Sequence, residues 1–176
     1  MKRVRLATVW LDGCSGCHMS LLDIDERLLA IADKIELVYG PLMDAKTYPE
    51  NVDVAIVEGA VSSEEDYEKL KEVRANTGIL VALGDCAVNS NVPAMRNQYR
   101  RIDILQCAYV ENASIPGSPP SEVVPPLRAK AVPLHEVVKV DVFLPGCPPN
   151  ADLIFEVVDR LLSGSEGREP LVASFG

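Results

Sequence analysis

Residues 4–18, with the sequence VRLATVWLDGCSGCH, decide the fold of this chain. Residues 4–10 form a near-continuous apolar run, which is typical of a β-strand buried on both faces of a sheet. Cys14 and Cys17 follow in a turn that contains glycine, and apolar residues at helical spacing begin directly after it. A strand that passes through a short turn into a helix is the first unit of an α/β fold.

The rest of the chain repeats this alternation of strand and helix. Apolar runs rich in Val, Ile and Leu predict further strands at residues 35–39, 52–57, 79–83 and 138–144. Helices are predicted at residues 16–32, 63–75 and about 150–162, the last two with serine or asparagine caps and acidic first turns. This order favours a three-layer α/β/α fold around a doubly wound, five-stranded parallel sheet.

The whole chain, residues 1–176, is predicted to be one domain with one irregular segment. Residues 111–136 hold six of the 13 prolines of the chain. Because proline fixes φ and removes an N–H donor, we expect a long excursion here without sheet pairing of its own. Such a segment suits docking to a partner. The tail after Ser163 is expected to be frayed or held by a partner.

The composition narrows the class of protein. The chain has 17 lysines and arginines against 26 aspartates and glutamates, a formal net charge of −9. An acidic balance repels phosphate backbones and argues against nucleic acid as a partner. No apolar stretch reaches the roughly 20 residues that cross a bilayer, and no secretory cleavage site follows the basic start. A cytoplasmic protein with reduced cysteines is therefore expected.

Four of the five cysteines lie at the ends of predicted strands. Cys14 and Cys17 follow the first strand, Cys86 follows the fourth, and Cys147 follows the fifth. The strands of a parallel sheet end at one edge, where doubly wound sheets bind their ligands, so we expect the four thiols to converge. Convergent thiolates suit either zinc or an iron–sulfur cluster.

The spacing of the cysteines favours the cluster. Structural zinc usually combines two close Cys-x-x-Cys pairs, and this chain has a single such pair. Scattered cysteine ligands are common for 4Fe-4S clusters, and neighbouring glycines such as Gly84 and Gly146 let backbone amides point at sulfur. The simpler alternatives are ordinary buried thiols and a thioredoxin-type redox pair. Cys107 has no such turn and is predicted to be a core thiol.

Polar and aromatic residues are also predicted near this edge. Glu58 ends the third strand and His18 follows Cys17 directly, so both are candidates for proton transfer or for supporting the ligand loops. Trp10 ends the first strand and either lines the site or belongs to the core. His135 is expected to be structural. No residue is assigned a catalytic role.

Several motifs taken together closely resemble the small subunit of [NiFe] hydrogenases, nearest to the cytoplasmic, NAD-reducing group. The resemblance covers about residues 5–163, and the motifs occur in the order found in that family. The motifs are CSGCHMS at 14–20, VEGA at 57–60, GDCA at 84–87, NVPAMRN at 91–97 and PGCPP at 145–149.

The resemblance implies a function. The family domain is flavodoxin-like and holds one 4Fe-4S cluster, so Cys14, Cys17, Cys86 and Cys147 would be its ligands. Electrons would pass between the Ni-Fe site of a separate large subunit and a diaphorase module that carries further clusters, FMN and NAD. The related subunit of complex I has two adjacent cysteines where Ser15-Gly16 separates the pair here, which argues against a quinone-linked role.

Alternatives remain for both the function and the docking surface. The chain could instead be a complex I-type cluster subunit, or a flavodoxin-like module that binds flavin or zinc. Arg96, Arg100 and Arg101 form a local basic cluster that, with the proline-rich segment, is a candidate partner surface. A solvated helix face is the simpler interpretation of these arginines.

Overall fold

The computed structural model describes residues 3–115 and 117–163. Five of its strands form a parallel sheet, and the other two form a small antiparallel ribbon. The strands are β1 (Val4–Trp10), β2 (Ile35–Tyr39), β3 (Val52–Glu58), β4 (Val61–Ser63), β5 (Thr77–Leu83), β6 (Leu127–Val132) and β7 (Val142–Leu144).

The parallel sheet has the strand order β2-β1-β3-β5-β7. Counted along the chain within that sheet, this is the order of flavodoxin-like, doubly wound folds, so the predicted fold class is confirmed. The chain reverses its direction of winding beside β1, and the carboxyl ends of β1, β3, β5 and β7 lie at one edge.

Helices cover the sheet, and two of them, α3 and α6, begin at a side-chain cap. Ser63 caps α3 in a reciprocal pair with Asp66, since each side chain accepts the backbone N–H of the other residue. The Asn150 side chain accepts from the Asp152 amide at the start of α6. The helices are α1 (Gly16–Leu22), α2 (Arg27–Ala32), α3 (Glu64–Ala75), α4 (Asp85–Asn89), α5 (Arg101–Gln106) and α6 (Ala151–Leu162).

Alternate residues of the central strands face two apolar layers. On one face, Ala7 and Val9 of β1 share a buried cluster with Leu70 of α3. On the other face, Leu6 shares a buried cluster with Ile154 of α6. Because both faces of the central strands are covered, these strands are mostly apolar, which explains why they are recognisable as near-continuous runs in the sequence.

The proline-rich segment corrects one prediction. Residues 111–136 were expected to lack sheet pairing, but β6 lies within them and pairs antiparallel with β4. The prolines at 116–126 and at 133 flank β6 and leave every backbone N–H of residues 127–132 free to donate. Composition averaged over the segment therefore concealed a short strand.

Two predicted elements are shorter than expected. The helix predicted at 16–32 is divided into α1 and α2, and Asp25 between them has φ of 54°, which α-helical backbone does not allow. The strand predicted at 138–144 is reduced to β7, because the Asp141 carboxylate accepts the Leu80 amide at 2.9 Å in place of a backbone carbonyl.

The helices of the described ranges are all too short or too polar to span a membrane. The tail predicted to be frayed or held by a partner, after Ser163, lies outside the described residues.

Candidate metal centre

The four strand-end cysteines line one cavity of about 110 Å³ at the carboxyl edge of the sheet. Cys14 precedes α1, Cys17 lies in the first turn of α1, Cys86 lies in the first turn of α4, and Cys147 follows β7. Cys14 and Cys147 are exposed, and the other two are half-buried. The predicted convergence of the thiols is observed, and their role as metal ligands stays a prediction.

Glycines with positive φ allow the ligand loops to approach each other. Gly84 has φ of +82°, and a Cβ atom there would lie 2.2 Å from the Cys17 Sγ. Gly146 has φ of +138°, and a Cβ atom there would lie 2.6 Å from the Cα of Pro149. Any other residue at either position would be strained and would collide with Cys17 or with the loop that carries Cys147.

The electrostatics of the cavity favour a bound cation. Burial first, then the charges of Glu58 and of the other three thiols, raises the pKa of Cys17 to about 12. Burial and the neighbouring thiols also raise the pKa of Cys86. Thiolates this close repel one another, so they can ionise together only beside positive charge, and metal ions supply that charge.

Glu58 and His18 form a buried polar pair next to Cys17. The Glu58 side chain is 2% exposed, and its Oε2 accepts the His18 backbone N–H at 2.8 Å. The same oxygen lies 3.0 Å from His18 Nδ1, but the two atoms are not aligned for a hydrogen bond. Glu58 Oε1 and both imidazole nitrogens have no hydrogen-bond partner among the described residues. Glu58 thus braces the first turn of α1, and proton transfer through the pair stays a prediction.

The donor set fits an iron–sulfur cluster. Zinc and iron–sulfur clusters both prefer thiolates, and a 4Fe-4S cluster takes four of them on separate irons, which suits thiols distributed around a cavity. Within residues 3–115 and 117–163, no three His, Cys, Asp or Glu side chains are close enough to surround a single ion. By type and number, Cys14, Cys17, Cys86 and Cys147 match the ligands of one such cluster.

Three residues whose surroundings were predicted lie at the surface: Trp10, Cys107 and His135. Trp10 is 46% exposed, so it is not a core residue, and its ring lies 6.2 Å from the His18 ring. Cys107 was predicted to be a core thiol, which is wrong: it is exposed, and the Asn112 side chain donates to its sulfur. The α5 helix and the π-helical turn that follows it lie on the surface, a placement that local sequence does not reveal. His135 is exposed and makes an edge contact with Phe143.

The arginine cluster divides into structural and exposed members. Arg96 donates to the backbone carbonyls of Ser62 and Arg128, and Arg101 donates to that of Leu127. Arg96 lies in a 3-10 helix (Val92–Gln98) and Arg101 begins α5, so the two residues anchor the β4–β6 ribbon to these two elements. Arg100 and Arg101 are both exposed, and the Arg100 side chain, which is 81% exposed, pairs with Asp103. Partner docking by these arginines and the proline-rich segment stays a prediction.

Two residues that touch the ligand loops were not singled out from the sequence. Ser20 of α1 is buried, and its hydroxyl donates to the carbonyl of Pro149. Asp85 bonds to the backbone beside Cys147. Both lie inside the quoted motifs, so their position within a few residues of a cysteine was the available signal.

A flavodoxin-like sheet that gathers four cysteines at its carboxyl edge defines a class of redox-protein subunits. Residues 14–161 match the family described as NADH ubiquinone oxidoreductase, 20 Kd subunit, and the chain belongs to this family. Its resemblance to the small subunits of NAD-reducing [NiFe] hydrogenases is confirmed by the relatives within it.

Curated relatives are hydrogenase subunits. The chain is 46% identical to the NAD-reducing hydrogenase HoxS subunit delta of Cupriavidus necator, covering 92% of this chain and 80% of that one. It is 30% identical to the sulfhydrogenase 2 subunit delta of Pyrococcus furiosus, covering 98% of this chain but only 66% of that protein.

Solved structures agree with this placement. A chain of the NAD+-reducing [NiFe]-hydrogenase in the H2-reduced state is 43% identical, with a TM-score of 0.91 over 98% of this chain and 97% of that chain. The Ni-Fe-Se hydrogenase of Desulfomicrobium baculatum is 18% identical with a TM-score of 0.62, covering 98% of this chain and 68% of that chain, and it supports the fold alone.

Proposed function

We propose that this chain is the electron-transfer small subunit of a NAD-reducing [NiFe] hydrogenase and holds one 4Fe-4S cluster. The observation that carries the proposal is the shared cavity of Cys14, Cys17, Cys86 and Cys147, which three distant segments of the chain build together. When bound, the cluster supplies a site that accepts and releases single electrons.

The residues of the chain provide the setting for that site. The four cysteines would bind the cluster through their sulfur atoms. The half-buried positions of Cys17 and Cys86 limit contact between the cluster and water. Glu58 accepts the His18 amide and so keeps the first turn of α1, which carries Cys17, in place. Burial and nearby charge are the means by which a protein adjusts the reduction potential of such a site. We include proton transfer by Glu58 and His18 in the proposal.

The partners follow from the relatives. HoxS subunit delta belongs to a NAD-reducing hydrogenase, and this chain has a single Cys-x-x-Cys pair, too few for a Ni-Fe site of its own. We therefore assign the Ni-Fe centre to a separate large subunit, and FMN, NAD binding and further clusters to diaphorase subunits. The proposed location is the cytoplasm, where thiols stay reduced.

A complex I-type role is the second candidate, because the matching family takes its description from the 20 Kd subunit of NADH ubiquinone oxidoreductase. The identity with a hydrogenase subunit across 80% of its length, and the Ser15-Gly16 spacing, favour the hydrogenase. Electron acceptors distinguish the two: hydrogen should reduce NAD in the purified complex, and a quinone should not replace NAD.

The test replaces one ligand and one control cysteine in the complex purified without oxygen. We expect Cys86→Ala to lose the reduced-cluster signal in electron paramagnetic resonance, its iron and acid-labile sulfide, and hydrogen-driven NAD reduction. Cys107→Ala, at an exposed cysteine outside the cavity, should retain all three. Full iron content and activity in Cys86→Ala would refute the proposal, as would zinc or flavin in place of iron in the unaltered chain.

A further inference from the structure

Asp85 joins the two loops that carry the isolated cysteines. It precedes Cys86, and Gly146 precedes Cys147. The Asp85 backbone N–H donates to the Gly146 carbonyl at 2.9 Å. In return, the Gly146 backbone N–H donates to Asp85 Oδ1 at 2.8 Å. Each residue therefore both donates to and accepts from the other, one position before a cysteine.

This pair continues the sheet beyond its last backbone ladder. The register of β5 with β7 ends at Leu83 and Leu144, and the Gly84 amide makes one more bond, to the Leu144 carbonyl at 2.8 Å. Gly84 and Gly146 both have positive φ, so the two segments turn away from the strand direction. The regular backbone ladder between β5 and β7 therefore cannot continue. The Asp85 carboxylate supplies the acceptor that a strand carbonyl would otherwise provide.

We propose that Asp85 is a positioning residue for the metal centre, setting the separation of Cys86 and Cys147. The proposal rests on the proposed cluster. Its physical basis is that both loops bend sharply at glycine and that a single side chain links them one residue from each sulfur-bearing position. Replacing a residue that holds a metal ligand in position commonly lowers the affinity for the metal about 10-fold to 100-fold.

The charge of Asp85 and its hydrogen bond can be separated by substitution. Asp85→Asn keeps an oxygen at the same reach and removes the charge. Asp85→Glu keeps the charge and displaces the oxygen by one methylene, and Asp85→Ala removes both. A positioning role predicts that Asp85→Asn retains iron as the unaltered chain does and that Asp85→Glu does not. A general effect of negative charge beside the cluster, or at the start of α4, predicts the reverse order.

The experiment uses the full-length chain and these three variants, loaded with ferrous iron and sulfide without oxygen. Iron and sulfide per chain, the electron paramagnetic resonance spectrum after reduction, and the rate of iron loss to a chelator are measured. We expect Asp85→Asn to match the unaltered chain. We expect Asp85→Ala and Asp85→Glu to lose iron about 10-fold faster or more and to show a broadened or shifted spectrum.

The outcomes distinguish the two proposals. If the unaltered chain takes up no iron and sulfide, the cluster proposal fails. If it loads and Asp85→Ala retains iron and spectrum equally well, or if Glu rescues and Asn does not, the positioning role of Asp85 is refuted. Circular dichroism of the iron-free chains checks folding. Should Asp85→Ala fail to fold, the comparison of Asn with Glu decides.

Discussion

At the scale of single residues, the carboxylate of Glu58 combines almost complete burial with incomplete hydrogen bonding. Glu58 is 2% exposed, yet one of its oxygens lacks a hydrogen-bond partner among the described residues. The other oxygen satisfies the His18 backbone amide. The sequence placed Glu58 at the end of a strand and offered support of the neighbouring loop as one of its two candidate roles, and the bond to the His18 amide confirms that support.

We expect Glu58→Ala to lower the free energy of unfolding by about 1–3 kcal/mol, because the part-buried His18 amide would lose its acceptor. Glu58→Gln should lose less, since its amide oxygen can still accept. Urea unfolding of the full-length chain measures both. Glu36→Ala, at an exposed glutamate of β2, is the matched control. Equal stability of Glu58→Ala and the control would show that the bond contributes nothing.

At the scale of elements, Asp141 connects β7, β5 and α3 through one carboxylate. It accepts the Leu80 amide at 2.9 Å and pairs with Arg74 at 2.5 Å. Burial acts to raise the pKa of Asp141, but hydrogen bonds from Leu80, Arg74 and Lys139 outweigh it and hold the pKa below its ordinary value. A folded-state pKa below the unfolded one means that the ionised carboxylate stabilises the fold.

This lowered pKa predicts a pH-dependent stability. The contribution of Asp141 is complete above the ordinary pKa of about 4 and is lost as pH falls through the lower folded value. Asp141→Asn should therefore be about 1 kcal/mol less stable than the unaltered chain near neutral pH, and the difference should shrink as pH falls below about 4. Urea unfolding across this range measures it. Asp44→Asn, in an exposed loop, should show no such trend, and a pH-independent difference at Asp141 would contradict the assignment.

At the scale of the whole molecule, the candidate centre exists only in the folded chain. Its cysteines come from the β1–α1 turn, the start of α4 and the loop after β7, which the parallel sheet brings to one edge. A group bound by all three segments binds the folded state and not the unfolded one, so it must stabilise the fold.

We expect loading of the full-length chain with iron and sulfide to raise its Tm by about 5 °C or more. In Cys147→Ala, which lacks the ligand from the loop after β7, the same treatment should leave Tm nearly unchanged. Calorimetry without oxygen, with the iron content measured in parallel, tests this. An unaltered chain that holds a full cluster and still shows the Tm of the iron-free form would contradict a centre shared by three segments.

The five-stranded parallel sheet and the convergence of the four cysteines could be predicted from the sequence. Strands covered on both faces are mostly apolar, the caps at Ser63 and Asn150 are local, and the parallel strands of a sheet end at one edge, so these features follow from short stretches of chain. Tertiary structure alone decided the exposure of Cys107, the pairing of β6 with β4, the break at Asp25 and the Asp85–Gly146 link. Each of these features depends on which distant segment of the chain packs against the residue concerned, or on how a turn bends to bring two segments together. The periodicity of neighbouring residues does not encode such long-range contacts.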